Sequence, residues 1–211
     1  MLRGFIINVL ACAICLVAVG TGLVVMSGFE TLRDSDVRQC ADWPQESLLP
    51  FDRTHPTLLM FAHPRCPCTR ASLEELKTVL ARFSGKVSAQ IFFLSPSRKP
   101  GAWTLTESWR EATRIPELAI RYDTDGYLAG VFGAANSGEV FLYNPQGKLL
   151  FRGGITGGRG ETGMNSGEAA LVSAIEGATT APAQSPVYGC TLGLRCETAQ
   201  LGNVAGAEFG H

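Results

Sequence analysis

Charge is scarce in this chain and gathers nowhere. Its 18 Lys and Arg stand against 19 Asp and Glu, giving a net charge of −1 with no basic block. The electrostatic footprint of a nucleic-acid partner is therefore missing. No segment repeats, which excludes solenoid and propeller arrays. The glycine-rich run GGITGGRGETG, Gly153 to Gly163, lacks the Gly-Lys-Ser/Thr ending of a phosphate-binding loop and follows a hairpin pattern instead of a parallel strand. Its glycines are read as giving the backbone a tight path past a site. Apolar side chains are plentiful: hydrophobic residues make up 45% of the 211. That is enough for a packed core and excludes a wholly disordered chain.

The longest uncharged run, Phe5 to Met26 (FIINVLACAICLVAVGTGLVVM), has about 22 residues, enough to cross a bilayer as a helix. Arg3 precedes it, while Glu30, Arg33 and Asp34 follow. This arrangement favours a cytoplasmic N-terminus and an exported body. A cleaved signal peptide competes, but its apolar core is usually shorter and no small-x-small site follows the run. The expectation is a single-pass anchor over 1–27 in the inner (cytoplasmic) membrane, with the rest of the chain facing the periplasm.

Seven cysteines divide by place. Cys12 and Cys15 lie inside the apolar run, where they serve as small hydrophobes. Cys40, Cys66, Cys68, Cys190 and Cys196 lie outside it, in an oxidising compartment if the orientation holds. Five is odd, so at least one thiol is free, metal-bound or paired with another chain.

Residues 28–55 read as a polar connector broken by Trp43-Pro44 and Pro50, and the folded part is expected to start at Thr57. TLLMFA (Thr57 to Ala62) has the length of a buried strand and is stopped by Pro64 and Pro67. Leu73, Leu76, Leu80 and Phe83 then recur at helical spacing, with Thr69 as a candidate cap and Gly85 as a stop. Val87 to Ser95 is a second strand, completing a βαβ unit and implying a parallel pair. A short helix follows around Thr106 to Thr113. RYDTDGYLAGVFGA reads as a strand end, a turn at Asp125-Gly126 and a brief helix. Val140–Tyr143 and Leu149–Phe151 flank Asn144-Pro-Gln-Gly147 as in a β-hairpin. A last helix runs from Glu168 to Ile175. Beyond Gly177, composition turns to Ala, Thr, Pro, Gly and Ser, so 179–211 reads as a flexible, low-complexity tail. The order β-α-β, helix, antiparallel hairpin, helix is that of a thioredoxin-like α/β fold over 56–178, a three-layer arrangement of a central mixed sheet flanked by helices.

In that fold the stretch HPRCPCTR puts Cys66 and Cys68 after the first central strand and just before a helix. Unpaired N–H groups and the helix dipole stabilise thiolates there, and Arg65 and a protonated His63 would add positive charge. The pair is expected at the first turn, open to solvent. One residue separates the thiols. On a regular helix the two would face apart, so a Cys66–Cys68 disulfide requires the helix to start afterwards, which Pro67 favours by keeping Cys66 out of helical angles. The alternative is that Cys66 attacks and a distant thiol resolves, from among Cys190, Cys196 and Cys40. A metal reading competes: the two thiolates with His63, and with His55 as a further candidate, make a soft ligand set suited to Cu(I) or zinc.

HPRCPCTRASLEEL, the Asp-x-Asp-Gly turn, SGEVFLYNPQGKLLFRGGIT and the late PVYGC together resemble the membrane-anchored thioredoxin-like proteins of the RedB type, found in bacteria. The likeness spans roughly Thr57 to Cys190. It implies thiol–disulfide exchange at Cys66 and Cys68 with thiol or disulfide proteins as partners, no cofactor, and Ser137 and Gly138 lining the substrate groove. Thioredoxins carry a cis-proline in that groove; this chain has Gly138. Relatives of this kind are also expected to carry an RGHxGDN-like run, where this chain has RGETGMN, Arg159 to Asn165. The threonine that usually precedes a peroxidatic cysteine is missing, Ala62 and His63 standing in that region, which disfavours a peroxidase.

Overall fold

The computed structural model describes residues 6, 12, 15, 17, 19–21, 42–50, 52–97, 103–178 and 183–192. The chain divides into two units, Met1–Arg38 and Gln39–His211. In the first, the described positions are helical and their side chains exposed. Most of the expected membrane helix lies outside the described residues, as do Cys40 and Cys196. Among the described residues no helix is long and apolar enough to cross a membrane.

The second unit is built on β1 (Thr57–Ala62), all of whose residues are buried. Continuous burial suits an unbroken apolar run, because a central strand is covered on both faces. Helix α1 (Thr69–Arg82) follows, then β2 (Ser88–Ser95), α2 (Glu107–Ala112), β3 (Leu118–Thr124), α3 (Tyr127–Phe132), β4 (Glu139–Tyr143), β5 (Leu149–Gly153), α4 (Ser166–Ile175) and β6 (Ala183–Ser185). The sheet order is β3-β2-β1-β4-β5-β6. β1 runs parallel to β2 and antiparallel to β4, with Met60 opposite Ile91 on one side and Val140 on the other.

Alternation along β1 sorts its side chains between two cores. Leu58, Met60 and Ala62 face Leu73, Leu76, Leu80 and Leu171 from α1 and α4. Leu59 and Phe61 face Trp43, Phe132, Phe141 and Leu192 on the other side. Helices therefore cover both faces of a mixed sheet, the thioredoxin-like fold that the element order implied.

Three boundaries differ from expectation. The fold begins before Thr57: Trp43 is 5% exposed, stacks edge-on against Phe132 and Tyr143, and its backbone N–H donates to the Gly147 carbonyl. The connector therefore contributes a core residue, and Trp43-Pro44 starts a 3-10 turn (Gln45–Ser47) instead of merely breaking structure. Part of the expected tail is structured. Residues 183–185 add a sixth strand parallel to β5, and 186–192 continue across the sheet's end. Finally, Cys68 and not Thr69 takes the cap position of α1, and the helix closes at Phe83 before Gly85.

Candidate active site

Chain leaving β1 makes two tight turns before α1. The Cys66 N–H donates to the His63 carbonyl at 3.0 Å, and the Thr69 N–H donates to the Cys66 carbonyl at 3.1 Å. Cys66 therefore lies ahead of the helix, and Cys68 begins it in helical conformation (φ −70°, ψ −20°), the placement expected of reactive thiols. Solvent access differs from expectation. Cys66 is 2% exposed and Cys68 9%, because other chain segments lie over them.

For Cys66 the cover includes the C-terminal segment. The Ser137 N–H donates to the Cys190 carbonyl at 2.8 Å, the Leu192 N–H donates to the Ala135 carbonyl at 2.9 Å, and Asn136 and Thr191 form an antiparallel bridge. A Cβ on Gly189 would overlap the Ser137 carbonyl oxygen, so a side chain there would prevent this approach. Gly154 gives way likewise: its missing Cβ would lie 2.5 Å from the Pro186 carbonyl oxygen. Of the glycine run, Gly154 therefore gives the tail a close passage.

This docking brings the Cys190 sulfur to 3.0 Å from that of Cys66, with the Cys190 N–H 3.4 Å from the Cys66 sulfur. The two are thiols in hydrogen-bonding contact, since a disulfide would hold them at about 2.05 Å. Burial pushes the Cys66 thiol up, but the Cys190 thiol and N–H, the Cys68 N–H and the Thr69 hydroxyl all stabilise its anion, and its pKa lies below the ordinary value. Cys68 is raised by burial and by Cys66 beside it, with Arg159 and the Gly160 N–H opposing. Cys190 is pushed up to about 11, first by its hydrogen bond to Cys66 and then by burial. Of the three, Cys66 ionises first.

The remaining expected residues divide. The Ser137 hydroxyl joins three elements: it accepts from the His63 N–H at 2.8 Å and shares a hydrogen bond with Thr69 at 2.9 Å. Gly138 has φ +87°, and a Cβ there would meet Ser72 Oγ at 2.6 Å, so proline, fixed near −65°, cannot take its place. The Ser137 backbone pairs with Cys190 of the chain's own tail, whereas the Gly138 N–H donates to the Phe61 carbonyl of β1 at 2.8 Å. His63 and Arg65 both lie against Trp103. The His63 Nδ1 accepts from the Arg65 N–H at 3.1 Å and its ring stands edge-on to Trp103; burial, then Arg65, hold its pKa down, so it stays neutral. The Arg65 guanidinium lies over the Trp103 ring. Arg159 and Gly160 are contributors that sequence reasoning missed, the glycine run marking their neighbourhood without saying which groups would face the sulfurs; Thr69, read only as a cap, also contributes through its hydroxyl.

His55 pairs with Asp52 ahead of β1, at the strand's opposite end from the thiols. Among the described residues, no three His, Cys, Asp or Glu side chains are grouped to hold a metal ion.

No protein-family model matches the chain, and no curated protein matches it. Solved structures share its fold. An uncharacterized conserved protein from Geobacillus kaustophilus superposes with a TM-score of 0.53 at 20% identity, over 68% of this chain and 79% of that one. A hypothetical protein from Sinorhizobium meliloti 1021 gives 0.53 and 20%, over 68% of this chain and 82% of that one. A secreted Mycobacterium tuberculosis disulfide oxidoreductase homologous to E. coli DsbE superposes at 0.43 with 14% identity, over 59% of this chain and 82% of that one.

Proposed function

We propose that this chain is a thiol–disulfide oxidoreductase of the RedB type, held by its N-terminal apolar run in the inner membrane with the thioredoxin-like unit in the periplasm. The observation that carries the reading is the environment of Cys66: a sulfur at the head of a helix, surrounded by donors to its anion, with a second thiol 3.0 Å away. Nucleophilic thiols need the first condition and two-electron exchange needs the second.

The Cys66 thiolate attacks one sulfur of a substrate disulfide. The substrate S–S bond breaks, its electron pair leaves on the other sulfur, and that sulfur takes a proton from water. A second protein thiolate then attacks the Cys66 sulfur and expels the substrate's remaining sulfur. The protein loses two electrons and the substrate gains them; a dithiol reductant reverses the protein half. Cys68 and Cys190 both flank Cys66, and the sulfur contact favours Cys66–Cys190 as the bond that the oxidised protein keeps.

The test uses the full chain in detergent. Reduced protein is expected to reduce insulin in the presence of a dithiol, Cys66→Ser to abolish this, and peptide mapping of the oxidised chain to find Cys66 joined to Cys190. Stoichiometric Cu(I) uptake lost in Cys66→Ser and Cys68→Ser, with no disulfide turnover, would instead establish a copper-handling protein.

A further inference from the structure

We infer that residues 189–192 occupy the place of a substrate polypeptide and act as its template. The groove along 135–137 takes an extended segment with glycine immediately before its cysteine and an apolar residue two positions after it. This rests on the exchange chemistry at Cys66 argued above and adds which disulfides reach it.

Backbone pairing in the groove is blind to sequence. The Ser137 N–H and the Ala135 carbonyl, which hold Cys190 and Leu192, would hold any extended chain in the same register. Three positions do discriminate. At the Gly189 position a Cβ would overlap the Ser137 carbonyl oxygen, backbone that has no side-chain freedom to yield. At the Cys190 position the strand's own N–H and sulfur both meet the Cys66 sulfur, so a cysteine one residue earlier or later would face elsewhere. At the Leu192 position the side chain is 4% exposed, among Phe132, Phe141 and Trp43, an apolar pocket that a polar residue would fill at a cost. Thr191 is exposed, and its hydroxyl reaches the Ala135 carbonyl at 3.5 Å.

The tail is tethered and so contends for the groove at high effective concentration. A substrate displaces it by becoming covalent: the Cys66 thiolate takes the substrate sulfur in the place that Cys190 held, and the other substrate sulfur leaves as a thiol. With the groove filled, Cys190 is out of reach. Cys68 then attacks the Cys66 sulfur and frees the substrate thiol. As the tail returns, the Cys190 thiolate attacks Cys66, freeing Cys68 and leaving the Cys66–Cys190 disulfide.

The test uses the full-length Cys68→Ser/Cys190→Ser double variant, whose tail keeps its strand and which lacks the thiols that would release an adduct from Cys66. The probes are Pro-Val-Tyr-Gly-Cys-Thr-Leu and its Gly→Ala and Leu→Ser versions, each as the mixed disulfide with thionitrobenzoate, and the symmetrical nitrobenzoate disulfide as reference. Release of the coloured thiolate gives the rate, and mass spectrometry locates the adduct. The glycine peptide is expected to capture Cys66 about tenfold faster than the alanine peptide, a barrier difference of about 1.4 kcal/mol, with the serine peptide also slower. Equal rates for the three peptides, or reaction of the reference alone, would overturn the inference while leaving Cys66 a reactive thiol. Failure of every probe, reference included, would overturn the exchange reading itself. In the otherwise native full chain, Gly189→Ala should undock the tail and speed iodoacetamide capture of Cys66 about tenfold; an unchanged rate counts against the template.

Discussion

The Glu139 carboxylate, itself buried, receives the Arg152 Nε at 2.8 Å from a side chain that is only 11% exposed, across the β4–β5 pair. Its second oxygen accepts the Ala135 N–H at 2.8 Å, while Arg152 also donates to the Gly133 carbonyl at 2.9 Å. One ion pair therefore sets the shape of 133–137, the loop against which the tail and Cys190 dock.

Removing one member leaves a buried charge without its partner. Glu139→Ala is expected to cost about 3–5 kcal/mol in urea denaturation, whereas Glu139→Leu with Arg152→Met should cost far less. The single variant should also expose Cys66 to alkylation, because the loop holding the tail loses its anchor.

The thiols make a pH signature. Donors stabilise the Cys66 anion, so its alkylation midpoint should lie below 9.0, and Cys190→Ala should move it upward by removing the thiol donor. Cys190 behaves oppositely. With its folded pKa raised from 9.0 to about 11, the unfolded chain ionises first as pH rises, so stability should fall across that window. Denaturation melts of Cys190→Ser should lack that part of the decline.

Asn165 caps α4 by accepting the Glu168 N–H at 2.9 Å and reaches back to the Ile155 carbonyl, also at 2.9 Å. Asn165→Ala should cost about 1 kcal/mol. Because the same loop carries Arg159 and Gly160 toward Cys68, the alkylation midpoint of Cys68 should rise as that support is lost.

Trp43 belongs to the fold, not to a linker. Trp43→Ala is expected to cost about 3–5 kcal/mol by thermal or urea melts, the range for emptying a large aromatic site in a core. A soluble fragment starting at Gln39 should correspondingly outlast one starting at Pro56.

Much of the architecture was legible along the chain. The leucines of α1 recur at helical spacing, Asn144-Pro-Gln-Gly147 marks its hairpin, and Asp125-Gly126 takes positive φ at its turn as such residues do. The elements that escaped were those whose reason lies elsewhere in the molecule. Ala183–Ser185 is short and polar and becomes a strand only because β5 offers it an open edge beside Gly153. Trp43 reads as a breaker's neighbour until Phe132 and Tyr143 close around it. His63 reads as a charge beside the thiols, yet burial against Trp103 keeps it neutral.

By itself the sequence determined that two thiols would stand at the head of a helix following a buried strand, because apolar period, proline and turn chemistry act over a few neighbouring residues. Only the tertiary structure decided which thiol Cys66 would meet. That choice joins positions 124 apart and depends on glycines whose missing side chains let two backbones touch, a fit that no local pattern encodes.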